Sequence, residues 1–336
     1  MPQRTLHAFS DSNRTVFRRR LFAWYRDHAR DLPWRTNRDP YRVWLSEIML
    51  QQTRVTAVIE HYQEFLRRFP SVEKLAAARQ ASVLAAWSGL GYYRRARMLH
   101  AAAKVIVREH GGKFPNTMEG LRTLPGIGRY TAAAIASIAF EEPVAVVDGN
   151  VERVLQRVSG KPLKVEELWK GANDMLDAKR PGDFNQAMME LGATVCTPRA
   201  PACLTCPVTE LCAERGELQG ATKAARQRKR EMHYALDCRN GGSRREVFLV
   251  RRARDASLMP GMWQLPETAG TNGAEAPWLT LRHSITVTDY TVRVWRAIAP
   301  SRAGGKWIPV SRLRQVALTG LARKILRKVG MLPDLP

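Results

Sequence analysis

Four cysteines lie within a seventeen-residue stretch near the middle of the chain, at Cys196, Cys203, Cys206 and Cys212. Their spacing, C-x6-C-x2-C-x5-C, brings four potential thiolate ligands into one loop. Structural zinc usually takes two separated pairs of ligands, whereas one close pair with two flanking cysteines favours a compact iron–sulfur cluster. The sequence therefore predicts a metal site, with iron–sulfur preferred to zinc. Disulfide pairing or buried free thiols are the alternative.

A candidate proton donor, Glu47, lies in the apolar segment 43–50. Its neighbours on a helix would be Val43, Trp44 and Leu50, so its carboxyl group would be poorly solvated. Poor solvation raises a carboxyl pKa and allows proton donation near neutral pH. The alternative is a glutamate at the edge of a buried face that reaches water.

A second candidate acid, Asp148, lies between the apolar residues 144–147 and the start of a predicted helix. Cleavage of a glycosidic bond uses one acid that protonates the leaving group and one ionised acid that stabilises the cationic sugar. Glu47 and Asp148 could form such a pair, although their spacing does not show that they meet. The alternative for Asp148 is an ordinary helix N-cap.

Two glycines, Gly126 and Gly128, form a turn between two helical stretches in the sequence Leu-Pro-Gly-Ile-Gly-Arg-Tyr-Thr. Such a turn exposes backbone N–H groups at the start of the next helix, where they can bind phosphate without reading base sequence. The pattern is typical of a helix-hairpin-helix. Nearby, Tyr92 follows Gly91 and could wedge into a base stack, or could belong to the core.

The chain has 336 residues, with 54 Lys and Arg against 31 Asp and Glu, a formal net charge of +23. Such an excess of positive charge indicates a polyanionic partner, most simply nucleic acid. No apolar run is long enough to cross a membrane. The Arg-rich N-terminal segment is interrupted by acids and predicts a basic first helix in a cytoplasmic protein.

Apolar residues recur at helical spacing through most of residues 15–220, which predicts a mainly α-helical part. The predicted helical stretches are 43–52, 55–69, 82–90, 94–109, 117–124, 129–140 and 150–158. Residues 221–232 are predicted to be a linker. The remainder predicts a separate α+β domain, with strands over 246–251, 284–288 and 291–297 and a final helix over 312–329.

Several motifs occur in the order typical of one protein family. They are Leu32-Pro33-Trp34-Arg35, Trp44 to Thr53, Gly89-Leu90-Gly91-Tyr92-Tyr93, the glycine turn, Val147 to Val151 and the cysteine loop. From about residue 15 to about residue 215, the chain resembles the MutY family of adenine DNA glycosylases, within the helix-hairpin-helix DNA glycosylase superfamily. A weaker resemblance extends through the C-terminal part.

The resemblance implies a monomeric enzyme that flips and excises adenine mispaired with 8-oxoguanine or guanine in double-stranded DNA, in base excision repair. It implies a helix-hairpin-helix glycosylase half over 1–220. Within it, 36–145 would form a six-helix barrel, and 1–35 with 146–220 would form a domain around a [4Fe-4S] cluster. A Nudix-like lesion-recognition domain would span 233–336.

The resemblance also implies roles for individual residues. Glu47 would protonate the adenine, Asp148 would stabilise the cationic sugar, and Tyr130 and Asn150 would support them. Arg35 and Gln186 would contact the flipped adenine. Gln52, Thr53 and Tyr92 would probe the space beside the opposite base, with Tyr92 as the wedge.

Tyr130 separates two chemistries within the superfamily. The similar endonuclease III enzymes carry a lysine at this position, whose amine attacks the sugar and leads to strand cleavage. A tyrosine cannot form that imine. The chain is therefore expected to be a glycosylase without lyase activity. The alternatives are an endonuclease III-like glycosylase/lyase that acts on oxidised pyrimidines, and a non-catalytic iron–sulfur DNA-binding protein.

The C-terminal part departs from two related patterns. Residues 267–273 lack the glutamate-rich helix of hydrolytic Nudix enzymes, so pyrophosphate hydrolysis is not expected. The family's Phe-Ser-His loop, which recognises the lesion, is matched here by Ile285-Thr286-Val287. Only the hydroxyl of Thr286 is kept, which places the preference for 8-oxoguanine in question.

Overall fold

The computed structural model describes residues 10–216, 228–241, 244–269, 276–285, 288–299 and 304–333. The chain divides into two compact units, one formed by 1–52, 71–73 and 101–221, and the other by 53–70, 74–100 and 222–336. Each unit is described by itself below. Within the described ranges, no helix has the length and apolar character needed to cross a membrane.

Most helices over the described residues correspond to predicted helical stretches. The helices are α1 (Asp11–His28), α2 (Pro40–Leu50), α3 (Val55–Arg68), α4 (Val72–Ala77), α5 (Gln80–Ala86), α6 (Arg94–His110), α7 (Met118–Arg122), α8 (Arg129–Phe140), α9 (Gly149–Ser159), α10 (Val165–Met175), α11 (Pro181–Thr194) and α12 (Gly320–Lys328). Each of the seven helical stretches predicted between 43 and 158 corresponds to one of these helices.

Helix α2 is buried along most of its length, because most of its side chains are apolar. Its carboxylate cap is Asp39, whose Oδ1 accepts a hydrogen bond from the backbone N–H of Arg42 at 2.9 Å, and Pro40 occupies the first turn. Helix α2 packs against α8, whose buried face is largely alanine. Small side chains on α8 allow the two helices to approach closely, which takes the centre of α2 out of water.

The core of the first unit is assembled from α1, α9, α10 and α11, although α1 is distant from the others in sequence. Phe17 and Leu21 of α1 pack with Leu155 of α9 and Leu191 of α11, and all four are buried. Burying such side chains contributes about 2 kcal/mol each. The N-terminal helix is therefore an integral part of this unit.

Two glycines let α11 approach its neighbours more closely than any other residue could. A Cβ atom on Gly182 would lie 2.6 Å from the Ser137 carbonyl oxygen of α8. A Cβ atom on Gly192 would lie 2.5 Å from Cβ of Asn150 and 2.8 Å from its carbonyl oxygen. Helix α11 is therefore in close contact with the helices that carry Tyr130 and Asn150.

The described residues of the C-terminal part form two small sheets. Strands β1 (Arg228–Leu236), β6 (Thr288–Arg296) and β5 (Leu279–Ile285) form one sheet, in which β1 and β6 are parallel and β6 and β5 antiparallel. Strands β2 (Cys238–Gly241), β3 (Arg244–Arg251) and β4 (Trp263–Gln264) form the other, and β7 (Gly305–Pro309) pairs with β3. The apolar face of α12 contributes Leu321 and Ile325 to the core of this domain.

Three sequence-based boundaries in this part differ from the structure. Strand β1 begins at Arg228, inside the predicted linker 221–232. Its first four residues are exposed and show no core pattern, which is why the sequence did not indicate a strand there. Of the strand predicted over 284–288, residues 284 and 285 end β5, residue 288 begins β6, and residues 286 and 287 lie outside the described residues. The helix predicted over 312–329 is a 3-10 turn (Val310–Gln315) followed by α12, which begins after the Thr319 cap.

Candidate active site

Glu47 lies on the buried face of α2 and is only 6% exposed. Burial raises the pKa of its carboxyl group from the ordinary 4.5 to about 7, and the nearby charge of Asp148 acts in the same direction. A hydrogen bond from Tyr130 and the charge of Arg35 oppose this shift. Between the two alternatives that the sequence left open, the structure places the carboxyl group inside the fold, where it can hold a proton near neutral pH.

Tyr130 connects α8 to the Glu47 carboxyl group. Its hydroxyl donates a hydrogen bond to Oε2 of Glu47 at 2.6 Å and lies 3.4 Å from Sδ of Met189. Burial raises the pKa of Tyr130 well above its ordinary value, and the charges of Glu47 and Asp148 raise it further. The hydroxyl therefore stays protonated and acts as a fixed donor to Glu47.

Replacing Tyr130 by Phe is expected to move the pH dependence of any reaction in which Glu47 acts as an acid. The tyrosine hydroxyl stabilises the ionised form of Glu47, so its loss should raise the pKa of Glu47 above that of the wild type. The rate of an acid-catalysed step falls when the acid ionises, and this fall should therefore occur at higher pH in the variant. Single-turnover rates measured from pH 5 to 9 would show the shift. If the fall in rate occurred at the same pH as in the wild type, or at lower pH, the hydrogen bond from Tyr130 to Glu47 would be contradicted.

Asp148 is the N-cap of α9, so its ordinary structural role is confirmed. Oδ1 accepts hydrogen bonds from the backbone N–H groups of Asn150 at 3.0 Å and Val151 at 2.7 Å, and Oδ2 accepts one from Nδ2 of Asn150 at 2.9 Å. Burial raises the pKa of Asp148 above its ordinary value, and these hydrogen bonds and Arg153 offset only part of the rise. The cap fixes the carboxylate and keeps one of its oxygens against Asn150.

Glu47 and Asp148 belong to the same unit and interact electrostatically, since the charge of Asp148 raises the pKa of both Glu47 and Tyr130. The two acids are unlike in surroundings. Glu47 is held by a single hydroxyl donor, whereas Asp148 accepts three hydrogen bonds. Such an arrangement favours a protonated Glu47 beside an ionised Asp148, which is the division of roles that glycosidic bond cleavage requires.

Asn150 is fixed on its other side by Arg153, whose Nη2 donates to Oδ1 of Asn150 at 2.9 Å and to the carbonyl oxygen of Gly192 at 2.6 Å. Asn150 thus connects Asp148 to the contact between α9 and α11. Its predicted supporting position is consistent with these hydrogen bonds.

A Gly192→Ala substitution is expected to lower the free energy of unfolding by about 1–3 kcal/mol, because the added methyl group would collide with backbone and Cβ atoms of Asn150. Displacement of Asn150 should also disturb Asp148. Urea unfolding of this variant, compared with Gly128→Ala, whose added Cβ would meet nothing within 4 Å, measures the effect. Equal stability of the two variants would contradict the close contact.

Arg35 contacts a buried carboxylate that the sequence analysis did not identify. The Glu190 side chain, which is fully buried, accepts hydrogen bonds from Nη2 of Arg35 at 2.7 Å and from Nε of Arg30 at 2.6 Å. Burial alone would raise the pKa of Glu190, but the two guanidinium groups lower it. The contact of Arg35 with adenine stays a prediction, and so does that of Gln186, which lies half-buried on α11, one turn before Glu190.

The glycine turn has the geometry expected of a helix-hairpin-helix. Gly126 has φ +76°, in the left-handed region that favours glycine, and Gly128 is the N-cap of α8. Both glycines are exposed, whereas Leu124 and Ile127 are buried and anchor the turn. The first backbone N–H groups of α8 are thus presented beside exposed glycines, which suits contact with phosphate.

Gln52 and Tyr92 are exposed residues with positive φ angles of +57° and +45°. Non-glycine residues in this region carry strain and cluster at functional sites. Thr53 Oγ1 accepts a hydrogen bond from Nη2 of Arg95 at 3.1 Å. The roles of these three residues at the opposite base stay predictions. Thr286 lies outside the described residues.

The four cysteines lie on one loop at the edge of the first unit's core. Cys196, Cys206 and Cys212 pack against the core of the first unit, and each of the four is partly buried. Their thiols lie within electrostatic reach of one another, and Nη1 of Arg157 lies 3.2 Å from Sγ of Cys196. Over the described ranges, no three His, Cys, Asp or Glu side chains converge closely enough to hold a single ion. Four thiols in one short loop match the number and kind of ligands that an iron–sulfur cluster takes.

Residues 45–171 match the model of the HhH-GPD superfamily base excision DNA repair proteins. Over this segment, the fold and the match define the helix-hairpin-helix class. The chain is 32% identical over 329 residues to an adenine DNA glycosylase of Schizosaccharomyces pombe, an alignment that covers 78% of this chain and 71% of that protein. The chain belongs to the adenine DNA glycosylase family.

Two further similarities set the extent of this match. The chain is 49% identical over 233 residues to an adenine DNA glycosylase of Mus musculus, which covers 63% of this chain but only 45% of that protein. The chain thus spans less than half of the length of this mammalian relative. A solved structure described as a thermostable thymine-DNA glycosylase superposes with a TM-score of 0.57 at 31% identity, covering 60% of this chain and 96% of the other.

Proposed function

We propose that this chain is an adenine DNA glycosylase of base excision repair, which hydrolyses the bond between adenine and deoxyribose where adenine is mispaired with 8-oxoguanine or guanine. The observation that carries this proposal is the buried Glu47, with a pKa of about 7 and a hydrogen bond from Tyr130, within electrostatic reach of the capped Asp148. Membership of the adenine DNA glycosylase family supports adenine as the base.

In the proposed reaction, adenine leaves the base stack before the chemistry, because the glycosidic bond is shielded inside the duplex. Protonated Glu47 donates its proton to a ring nitrogen of adenine, and the electrons of the breaking C–N bond move onto the base. Asp148, ionised, stabilises the positive charge that develops on the sugar. Water adds to the sugar carbon and gives a proton to the Glu47 carboxylate, so the products are free adenine and an abasic site.

Tyr130 supports a reaction without strand cleavage. An amine at this position would attack the sugar and form an imine, whereas the Tyr130 hydroxyl cannot and is already committed to Glu47. Incubation with an adenine-mismatched duplex and borohydride is therefore expected to trap no covalent protein–DNA adduct. A trapped adduct that disappears on removal of one lysine would favour the endonuclease III-like alternative.

Double-stranded DNA is the proposed partner. The net charge of +23 and the exposed glycine turn both favour contact with the phosphate backbone. Because this part of the binding releases counterions, affinity should fall steeply as salt is raised.

The proposed cofactor is a [4Fe-4S] cluster held by Cys196, Cys203, Cys206 and Cys212. Burial raises the pKa of the Cys212 thiol to about 11, so a metal would have to displace its proton. When bound, the cluster would supply four metal–thiolate bonds that tie the loop together. Loop residues on either side would then be held against α9, where Arg157 Nη1 donates to the carbonyl oxygen of Thr197 at 2.8 Å.

The C-terminal sheets are proposed to form a Nudix-like domain that reads the lesion.

The decisive experiment compares single-turnover excision from A:8-oxoguanine and A:G duplexes, with T:G and thymine glycol duplexes as further substrates. Release of adenine from the first two is expected. Faster excision from the T:G duplex would indicate an activity like that of the thymine-DNA glycosylase whose structure is similar, and would overturn the proposal.

The Val287→His variant tests the altered recognition loop in the same assay. A gain in the ratio of rates on A:8-oxoguanine over A:G would show that the Ile-Thr-Val sequence has lost lesion recognition. An unchanged ratio in an already discriminating wild type would place recognition elsewhere in the domain.

A further inference from the structure

The turn between α5 and α6 has an unusual backbone. Gly89 and Gly91 have φ angles of +117° and +70°, and Tyr92, which is not glycine, has φ +45°. Tyr92 is also 46% exposed, although it is a large aromatic residue. A non-glycine residue in this conformation costs free energy and persists only where the surrounding structure holds it.

The groups that hold this turn come from the C-terminal domain, within the second unit. Oγ of Ser88 and Oη of Tyr93 both donate hydrogen bonds to the carbonyl oxygen of Leu318, at 2.8 Å and 3.0 Å. Nε of Arg323 donates to Oγ of Ser88 at 2.9 Å. All four residues are buried, so each broken bond would leave an unsatisfied polar group away from water.

Leu318 is itself firmly placed in that domain. Its chain neighbours, Ala317 and Thr319, are both hydrogen-bonded to Trp263 of β4. The backbone N–H of Trp263 donates to the carbonyl oxygen of Ala317 at 2.8 Å, and the backbone N–H of Thr319 donates to the carbonyl oxygen of Trp263 at 2.9 Å. The side chain of Leu318 is fully buried in the domain core. The carbonyl oxygen that receives Ser88 and Tyr93 is thus a rigid anchor.

Arg95 holds the exposed side of the turn. Its guanidinium carbon lies 5.5 Å from the ring centroid of Trp87 and 5.4 Å from that of Tyr92, and Nη2 donates to the carbonyl oxygen of Leu90 at 3.1 Å. Tyr92 is therefore held through its ring by Arg95 and through its backbone by the anchored Tyr93.

We propose that Tyr93, Ser88 and Arg323 are positioning residues, through which the C-terminal domain fixes the turn that presents Tyr92 to DNA. This inference rests on the proposed function, in which Tyr92 is the wedge. The C-terminal domain then has a second role besides any reading of the opposite base. By fixing the turn that carries Tyr92, it supports separation of the two mispaired bases.

The test uses full-length protein and the variants Tyr93→Phe and Ser88→Ala, with Tyr92→Leu as the reference for a lost wedge. Tyr234→Phe is the matched control, since Tyr234 is a buried tyrosine of the C-terminal core whose hydroxyl lies 3.9 Å from Sδ of Met232. Single-turnover rates at saturating DNA are measured on an A:G duplex and on a duplex with adenine opposite an abasic site. In the second duplex no partner base has to be separated from the adenine. A 2-aminopurine beside the adenine reports unstacking by its fluorescence.

Tyr93→Phe and Ser88→Ala are each expected to slow excision from the A:G duplex by about fivefold. They should also reduce the 2-aminopurine signal and leave the rate on the abasic-site duplex unchanged. Tyr92→Leu should show the same pattern with a larger loss, and Tyr234→Phe should match the wild type throughout.

Equal slowing on both duplexes would mean a general structural effect and would overturn the inference. So would wild-type rates for Tyr93→Phe and Ser88→Ala. If the wild-type protein releases adenine from neither duplex, the proposed function fails instead, which separates the two conclusions.

Discussion

Replacing Glu47 by Gln is expected to slow adenine release by about a thousandfold or more, from A:8-oxoguanine and A:G duplexes alike. The amide has nearly the shape of the acid but cannot transfer a proton to the leaving base. The wild-type acid is suited to this task because burial raises its pKa to about 7. Single-turnover excision at saturating DNA measures the loss.

The Gln variant should remain folded, which distinguishes lost chemistry from lost structure. In the wild type, the raised pKa means that the folded state binds more protons than the unfolded state between pH 4.5 and about 7, so stability falls as pH rises through that window. Gln removes this dependence, and its stability at pH 8 should equal or exceed that of the wild type. Substantial excision by a folded Gln variant would remove Glu47 from the mechanism.

Replacing Asp148 by Asn is expected to slow excision by about a hundredfold to a thousandfold while keeping helix α9 intact. Asparagine is as good an N-cap as aspartate, so the hydrogen bonds to the backbone N–H groups of Asn150 and Val151 can persist. The negative charge that would face the cationic sugar is lost, together with the hydrogen bond that Oδ2 accepts from Nδ2 of Asn150. Single-turnover excision and urea unfolding, measured together, separate the two roles of this residue.

Asp148→Ala provides the matched comparison, because it removes the cap as well as the charge. It should lose about 1 kcal/mol of stability beyond the Asn variant and be at least as slow. Wild-type excision by Asp148→Asn would reduce Asp148 to the structural role that its position in the sequence already suggested.

Local patterns predicted the helices well, because their amphipathic faces are recorded in short stretches of sequence. The burial of Glu47 could not be predicted in the same way, since it depends on the alanine-rich α8, some eighty residues further along the chain. The contact between Tyr130 and Glu47 is similarly remote. For Asp148, the sequence offered two alternatives, a helix N-cap and an ionised catalytic acid. The two are compatible, because the N-cap hydrogen bonds also fix the position of the carboxylate.

Glu190 was missed although a signal existed. It is a single acid within an apolar stretch of α11, one turn beyond Gln186, and the N-terminal segment offers several arginines. Pairing it with Arg30 and Arg35 requires knowledge of how α1 returns to α11, which spacing does not contain. Strand β1 was missed for a different reason, since its exposed first half carries charged residues that are also typical of a linker.

The buried Glu190 has a consequence for attempts to isolate a minimal catalytic fragment. Residues 45–171, the segment shared with the wider superfamily, contain Glu47, Tyr130 and Asp148 but lack both α1 and α11. A truncated protein that kept α11 but began after Arg35 would leave Glu190 without its two cations, at a cost of about 3–5 kcal/mol. The smallest autonomously folding piece that retains the chemistry must therefore extend on both sides of the shared segment.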